Sequence, residues 1–313
     1  MSRVLALSGG VGGAKLALGL ARVLPPGALT VVANTGDDFE HLGLSISPDL
    51  DTLLYVLAGL DDAERGWGRR DETWSFMASI GALGGEDWFR LGDRDLATHV
   101  ERTRRLRGGE TLSQVMADFA RRLGITAQLL PMSDDRVRTR LLTEEGWLDF
   151  QHYFVRLQCR PVVRRIAFEG AAEARPHPAL LAALRDPALR AVVICPSNPF
   201  ISVEPILALP GVRQALADCA APVVAVSPII GGKAVKGPTA KMFSELGLEA
   251  GAAGVARRYG DLLDGYVMDM VDTTEAALVQ GPRVTLAPTL MRSLEDREAL
   301  ARTVLAAADA LRA

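Results

Sequence analysis

The strongest constraint on the fold is a glycine-rich segment that directly follows an apolar run at the start of the chain. Residues 4–7 (Val-Leu-Ala-Leu) lead into Ser-Gly-Gly-Val-Gly-Gly-Ala-Lys at residues 8–15, and a second apolar run ends at Asn-Thr-Gly-Asp-Asp, residues 34–38. Glycines at the end of a strand let the backbone approach a phosphate, and the first turn of the following helix offers unpaired N–H groups to it. This layout predicts an anion site of the kind that binds nucleotides.

The spacing of these glycines differs from both common phosphate-binding motifs. In the dinucleotide pattern Gly-x-Gly-x-x-Gly, the third glycine would fall on Lys15, and the Walker pattern requires Ser or Thr where this chain has Leu16. A turn that only packs a helix on a sheet is the alternative, but four glycines exceed what such a turn needs. The residues that we predict to bind phosphate here are Gly9, Gly10, Gly12, Gly13 and Lys15.

Composition excludes several classes of protein. The chain has 313 residues and 35 Lys and Arg against 38 Asp and Glu, so its net charge of −3 attracts neither nucleic acid nor a membrane. Small-molecule substrates are therefore the expected partners. Cys159, Cys195 and Cys219 lack C-x-x-C spacing, which argues against a disulfide framework or a zinc site and predicts a cytoplasmic protein. Neither a membrane span nor an export signal is recognisable.

Short β-rich runs alternate with loops and helical patterns at both ends of the chain. This alternation predicts an α/β fold, with a Rossmann-like, mainly parallel sheet and helices on both faces. Ligands of such sheets gather at the carboxyl ends of the strands, where the glycine segment lies. The predicted strands are residues 4–7, 29–33, 191–195, 222–227, 266–268 and 284–287.

The middle of the chain differs in character from both ends. Between residues 61 and 180 charge density rises, all four tryptophans occur and the strand rhythm lapses, so we predict an inserted, mostly helical cap. Residues 1–60 and 181–313 then form the nucleotide-binding core. Within the cap, residues 111–123 read as an amphipathic helix and residues 138–142 and 147–155 as a hairpin. Residues 293–311 predict a closing helix.

Two carboxylates, Asp49 and Asp51, follow Pro48 shortly after Asp37 and Asp38. Carboxylates cannot approach a diphosphate unaided, so a Mg²⁺ ion that bridges carboxylate and phosphate oxygens is the economical arrangement. The alternative is a helix that begins at Asp51 with an acidic cap.

Three further loops carry residues suited to a polyanionic ligand. Ser197 and Asn198 follow one predicted strand, and a Gly-Gly-Lys segment with Lys233 and Lys236 follows the next. Residues 90–99 hold a dense charged segment, for which a solvated helix start and a functional site are equally good interpretations. No Gly-x-Ser-x-Gly elbow, reactive cysteine or metal-type histidine spacing occurs, which favours catalysis by positioning and electrostatics over covalent catalysis.

Taken together, these motifs resemble the CofD family along nearly the whole chain. Val11 departs from the family pattern, in which threonine is frequent at that position. The segments that carry the resemblance are residues 8–16, 34–38, 47–52, 91–95, 131–134, 197–199 and 226–231.

The resemblance implies a reaction. The family transfers a phospho-lactyl or phospho-enolpyruvyl group from a guanosine diphosphate conjugate to the deazaflavin alcohol Fo, releases GMP and so forms the phosphodiester of coenzyme F-420. It also implies a homodimer. The sequence leaves open which three-carbon acid is transferred.

The resemblance also assigns roles to residues. It implies that Asp51 and Arg90 bind Fo, that Asp49 and Asp51 are the catalytic carboxylates and hold Mg²⁺, and that Asp51 is the first candidate for proton acceptor. The residues implied for the nucleotide are the glycine segment with Lys15, and Asn34, Asp37, Ser197, Asn198 and Lys233.

Two other functions compete with this interpretation. A related group of CofD-like regulators binds nucleotide sugars without catalysis, but residues 47–52 and 91–95 favour the transferase. An NAD(P)-dependent oxidoreductase would require a regular Gly-x-Gly-x-x-Gly and a hydride-handling His or Tyr, and neither is found.

Overall fold

The computed structural model describes residues 3–235 and 237–312, which fold around a central parallel sheet. The strands are, in chain order, β1 (Arg3–Ser8), β2 (Leu29–Ala33), β3 (Phe39–His41), β4 (Leu44–Ile46), β5 (Gln128–Pro131), β6 (Arg138–Thr143), β7 (Gly146–Asp149), β8 (Arg165–Glu169), β9 (Leu189–Ile194), β10 (Val223–Val226), β11 (Ile229–Ile230), β12 (Lys233–Ala234), β13 (Gly265–Asp269) and β14 (Arg283–Ala287).

The helices surround this sheet. They are α1 (Gly10–Val23), α2 (Pro48–Leu57), α3 (Ser75–Ala82), α4 (Asp93–Arg107), α5 (Leu112–Arg122), α6 (Pro178–Leu184), α7 (Glu204–Leu207), α8 (Val212–Ala217), α9 (Thr239–Glu245), α10 (Ala252–Tyr259), α11 (Thr273–Ala276) and α12 (Leu294–Arg312). Residues 152–156 and 199–203 form π-helical turns, and residues 260–262 and 270–272 form 3₁₀ turns.

The central sheet has seven strands in the order β14-β13-β10-β9-β1-β2-β5, and every neighbouring pair is parallel. Strand β1 lies between β9 and β2 inside the sheet, with Leu5 opposite Thr30 of β2 and Val192 of β9. All six predicted strands belong to this sheet, which confirms the Rossmann-like, mainly parallel architecture.

Both faces of the sheet are covered, as the near-continuous apolar strands require. Leu5 and Leu7 of β1 join one hydrophobic core, whereas the alternate residues Val4 and Ala6 join the other. Helices α1, α2, α5 and α12 contribute to the second core, and α6, α8 and α10 contribute to the first. The prediction of helices on both faces is confirmed.

One strand of the central sheet was missed by the sequence analysis. Strand β5 lies between residues 61 and 180, yet it forms the edge of the sheet by pairing with β2, with Leu129 opposite Val31. The segment assigned to the cap therefore contributes to the core sheet as well. The division of the chain at residues 61 and 180 stays a prediction.

The local predictions within this segment are confirmed, with one change. Helix α5 begins after Thr111, whose side chain accepts from the amide of Gln114 in a capping box. Strands β6 and β7 form the predicted antiparallel hairpin, and β8 adds a third strand. The second hairpin strand ends at Asp149, earlier than predicted, because the chain turns into a π-helical segment at His152. Outside this segment, helix α12 confirms the closing helix predicted for residues 293–311.

Within the two described stretches, no helix has both the length and the apolar character needed to cross a membrane. Cys159, Cys195 and Cys219 all carry free thiols, and Cys195 is buried. Burial raises the pKa of the Cys195 thiol, with a smaller opposing effect of the Ser8 hydroxyl. A buried thiol of raised pKa forms little thiolate and is therefore a poor nucleophile.

Candidate active site

The predicted binding loops meet at the carboxyl edge of four adjacent strands, β10, β9, β1 and β2. The glycine segment follows β1, Asn34 and Asp37 follow β2, and Ser197 and Asn198 follow β9. The loop with Lys233 follows β10. Parallel strands bring the segments after them to one side of the sheet, so residues far apart in sequence form one candidate site.

The glycine segment is fastened to the neighbouring loop by Ser197. Its hydroxyl donates to the carbonyl of Gly9 at 2.8 Å and accepts from the Gly9 amide at 3.1 Å. Gly10 has a φ of +67°, which favours glycine, and the N-cap residue Gly9 has no side chain that could cap the start of α1. The first turn of this helix therefore presents amides that have no acceptor within the helix, as an anion site requires.

Asp49 joins helix α2 to both the glycine segment and the loop after β2. Its Oδ1 accepts from the Gly10 amide at 2.6 Å, and its Oδ2 accepts from Asn34 Nδ2 at 2.9 Å. Asn34 also donates to the carbonyl of Ile201 at 3.2 Å and accepts from the Gly36 amide at 2.8 Å. Burial raises the pKa of Asp49 to about 6, although these hydrogen bonds oppose the shift.

Two further buried carboxyl groups lie beside this junction. Burial, followed by the charge of Asp49, raises the pKa of Asp37 well above its usual range. Burial also raises the pKa of Asp38 to about 7, against the opposing charge of Arg138. Oδ1 of Asp37 and Oδ1 of Asp38 are both buried and form no hydrogen bond of normal geometry with any described residue. Crowded carboxylates with unused oxygens suit a divalent cation.

Asp51 faces different neighbours from Asp49. Oδ2 of Asp51 accepts from Arg102 Nη1 at 3.1 Å, and Oδ1 accepts from Nη2 of the same guanidinium. Residues two positions apart on a helix are rotated by about 200° around its axis, which explains why the two carboxylates point to different sides of α2. The predicted joint role of Asp49 and Asp51 in holding a metal stays a prediction.

Arg102 was missed by the sequence analysis. It is fully buried, and burial lowers the pKa of its guanidinium. The charge and hydrogen bonds of Asp51, together with the charges of Tyr55 and Asp38, outweigh this effect, so the net shift of the pKa is upward. A signal was present in the sequence: Asp95, His99 and Arg102 recur at helical spacing, and all three are buried on one face of α4. Charged residues at core positions of a helix indicate a partner on the facing element.

Arg90, the predicted partner of Asp51, is exposed and lies over the ring of Trp74, with its guanidinium carbon 4.4 Å from the ring centroid. Trp74 itself precedes helix α3. The arginine is therefore presented on an aromatic surface, where stacking restricts its guanidinium. Its role toward a substrate stays a prediction.

Lys15 and Asn198 already have partners in the structure. The Lys15 ammonium donates to the carbonyl of Met291 at 3.1 Å, just before α12. Oδ1 of Asn198 accepts from the amide of Phe200 at 2.9 Å and caps the π-helical turn. Their predicted contacts with a nucleotide stay untested.

Lys233 is exposed on the short hairpin of β11 and β12. The hairpin is fastened at its turn, because the Gly231 amide donates to Oδ1 of Asp272 at 2.8 Å. This places the predicted lysine on a short turn that is tied to the end of β13. Lys236, which the sequence analysis assigns to the same loop, lies outside the described residues.

Two acidic side chains, Asp93 and Asp135, form contacts that stabilise the fold. Asp93 at the start of α4 accepts from the Phe76 amide at 3.0 Å, and Asp135 forms an ion pair with Arg175 at 3.1 Å. The charged segment of residues 90–99 contains a helix start, since α4 begins at Asp93, and Asp95 is buried beside the Asp51 network; a functional site there stays a prediction.

Across residues 3–235 and 237–312, no group of three or more His, Cys, Asp or Glu side chains is arranged to hold a metal ion. Mg²⁺ sites in phosphate-transferring enzymes commonly use only one or two carboxylates, because substrate phosphates and water supply the other ligands. The carboxyl groups of Asp37 and Asp49 fit a site of that kind.

Comparison with known proteins agrees with this architecture. The family model described as 2-phospho-L-lactate transferase CofD matches residues 4–305. A phosphoenolpyruvate transferase of Kitasatospora aureofaciens is 44% identical, with 99% of each chain covered. A 2-phospho-L-lactate transferase of Methanosarcina mazei is 40% identical, with 97% of this chain and 100% of the relative covered.

A solved structure from Bacillus halodurans, a member of the UPF0052 family, superposes with a TM-score of 0.64 at 16% identity, covering 97% of this chain and 100% of that chain. This likeness supports the fold alone. Because the family model spans nearly the whole sequence and relatives of at least 40% identity align over almost their full lengths, the chain belongs to the CofD family of 2-phospho-L-lactate transferases.

Proposed function

We propose that this transferase moves a phospho-lactyl or phospho-enolpyruvyl group from a guanosine diphosphate conjugate to the alcohol of the deazaflavin Fo, with release of GMP, in the synthesis of coenzyme F-420. The observation that carries the proposal is the junction of Gly10, Asp49 and Asn34. It holds the start of α1, whose first-turn amides suit a diphosphate, beside buried carboxylates, one of which already accepts from the Gly10 amide.

The glycine segment, Asn34 and the loop of Ser197 and Asn198 would bind the guanosine diphosphate part. Support comes from the way Ser197 and Asp49 order the first turn of α1 before any ligand arrives. Preorganised amides cost little rearrangement when charge develops on the phosphate oxygens. Lys233 would add positive charge from the hairpin at the neighbouring strand end.

The reaction would be an in-line displacement at phosphorus. The terminal ribityl oxygen of Fo forms a bond to the phosphorus that carries the three-carbon acid, and the bond from that phosphorus to the bridging oxygen breaks, so that oxygen leaves with GMP. Asp51 would orient the attacking hydroxyl and accept its proton, while Arg90 would hold the acceptor. Each carboxylate oxygen has more than one acceptor direction, so Asp51 can bind Arg102 and a substrate hydroxyl together.

The resemblance implies Asp49 and Asp51 as the ligands of Mg²⁺, but the two carboxylates point to different sides of α2. The charges crowded around Asp49 make Asp37 a further carboxylate for the ion, whereas Asp51 already binds Arg102. When bound, the ion would neutralise charge on the phosphate oxygens. The residues of the chain would still bind, orient and shield the substrates.

The proposal is tested by mass spectrometry of the products formed from Fo with the lactyl and enolpyruvyl guanosine diphosphates in parallel, each with Mg²⁺ and with EDTA. GMP and an Fo phosphodiester are expected from at least one donor with Mg²⁺, and loss of both with EDTA. Folded protein that forms no product from either donor would contradict the proposal and favour a nucleotide-sugar-binding regulator. The homodimer that we also propose is tested by light scattering of the same sample.

A further inference from the structure

We propose that Arg102 and His99 of α4 are positioning residues for the transfer, because they hold Asp51 in the orientation in which it meets the acceptor alcohol. The inference rests on the role given to Asp51 in the proposed function. Arg102 has no exposed surface and His99 is 2% exposed, so neither can reach a substrate except through another side chain.

Arg102 holds the carboxylate of Asp51. Arg102 donates to both carboxylate oxygens, and its Nη1 also donates to the carbonyl of Ser45 in β4 at 3.3 Å. A guanidinium that binds both oxygens of a carboxylate fixes the plane of that group, which a single hydrogen bond cannot do. The direction of the remaining acceptor sites of Asp51 is therefore set by Arg102.

Arg102 is in turn contacted by His99. His99 lies between Arg102 and Asp95: its Nδ1 is 3.4 Å from Arg102 Nη1, and its Nε2 is 3.2 Å from Asp95 Oδ1. The hydroxyl of Tyr55 donates to the same oxygen of Asp95 at 2.5 Å. In the tautomer that carries its hydrogen on Nε2, the nitrogen that faces Asp95, His99 can accept from Arg102 at Nδ1.

The network of Asp51, Arg102 and His99 lies beside the helix position that contacts the glycine segment. Asp51 lies close to Asp49 on α2, and Asp49 is bonded to the Gly10 amide at 2.6 Å. The start of α2 is thus held at two points, by the glycine segment on one side and by α4 on the other. A displacement of about 1 Å at a positioning contact can cost about 100-fold in rate, so a loosened Arg102 should affect the acceptor step first.

The test compares Arg102→Lys with Arg105→Lys, a matched control on the same helix. Arg105 also forms ion pairs, but its partners are Glu110 and Asp118 rather than Asp51. For Arg102→Lys we expect kcat to fall about 100-fold while KM for the guanosine diphosphate donor stays within about twofold of wild type. Arg105→Lys should keep kcat within about twofold.

His99 supplies the second pair of variants. The side-chain amide of His99→Asn can accept from Arg102 in place of Nδ1, whereas His99→Gln reaches Asp95 in place of Nε2 and leaves Arg102 without this support. Both variants remove the same ring, so a purely structural role would lower melting temperature and activity equally in the two. The inference predicts that His99→Gln loses about tenfold more kcat than His99→Asn at similar melting temperatures.

Failure of the positioning role and failure of the proposed function give different results. Unchanged kcat in folded Arg102→Lys, or losses of kcat and donor binding that follow the folded fraction, would overturn the positioning role. If Arg102→Lys does not fold, the order of the two His99 variants decides, and equal losses would overturn it. Wild-type protein that forms no product would instead contradict the proposed function, and the role of Asp51 with it.

Discussion

Gly12 and Pro196 approach so closely that no side chain fits between them. A Cβ atom on Gly12 would lie 2.6 Å from the carbonyl oxygen of Pro196, which follows β9. Since the obstacle is backbone, it cannot move aside as a flexible side chain would. This contact brings the start of α1 against the neighbouring loop, and it gives one glycine of the segment a packing reason that is independent of any ligand.

Gly12→Ala should therefore separate the glycine segment from the loop after β9. We expect a loss of about 1–3 kcal/mol in the free energy of unfolding, as for other overpacked sites, together with weaker binding of GDP. Urea denaturation and calorimetric titration measure the two effects. Gly81→Ala is the control, because a Cβ there meets nothing within 4 Å, and its stability should match or slightly exceed that of wild type. Equal stability of both variants would contradict the steric argument.

Asp49→Asn should impair nucleotide binding as well as catalysis. Both oxygens of Asp49 accept hydrogen bonds, one from the Gly10 amide and one from Asn34 Nδ2. In an asparagine one of these oxygens becomes an NH₂ group, which is itself a donor and cannot accept from its partner. We expect a loss of about 1–3 kcal/mol in unfolding free energy and at least about tenfold weaker GDP binding. Calorimetric titration with GDP, without Fo, measures this effect. Wild-type affinity in the variant would show that the junction does not order the glycine segment.

Asp51→Asn should separate catalysis from nucleotide binding. Asp51 lies on the other side of α2 from the glycine segment and is bonded to Arg102. We expect turnover to fall at least about 100-fold while GDP affinity stays within about twofold of wild type. Single-turnover formation of GMP, with the donor saturating, gives the rate directly. A fully active Asp51→Asn enzyme would exclude Asp51 as the proton acceptor.

The sheet and its loops could be predicted because their signals are local in sequence. The strands before Gly9 and Asn34 are mainly apolar, and the loops that follow them carry the predicted polar residues. Strand β5 was missed because Gln128–Pro131 offers only two leucines before a proline, a pattern that a loop can also show. Its pairing with β2 depends on a contact across about 100 residues, which no local pattern reports.

The candidate site, like the fold, was predictable only in part. The types of residue were predictable, because phosphate chemistry calls for glycines, carboxylates and basic groups after strands. The partners were not, since Arg102 of α4 meets Asp51 of α2 from 51 positions away. The separation of Asp49 from Asp51 followed from helix geometry alone, once residues 48–57 are known to be helical.

Asp38 gives a prediction for stability against pH. Burial raises the pKa of its carboxyl from 3.8 to about 7, because Arg138 and the Ser47 hydroxyl only partly offset the loss of hydration. Below pH 3.8 the group is neutral in both the folded and the unfolded chain. As pH rises toward 7 the unfolded chain ionises first, so stability falls across this window and the loss is complete above pH 7.

Asp38→Asn should remove that loss, since an asparagine can still accept from Ser47 and never ionises. We expect the variant to gain on wild type as pH rises from 4 to 8, by up to about 4 kcal/mol. Urea denaturation in EDTA at several pH values measures the difference. Asp118→Asn is the control of opposite sign: ion pairs with Arg122, Arg121 and Arg105 lower the pKa of Asp118, so its contribution is present above pH 3.8 and lost in acid. Parallel pH profiles for Asp38→Asn and wild type would show that Asp38 ionises in the folded protein as it does in the unfolded chain.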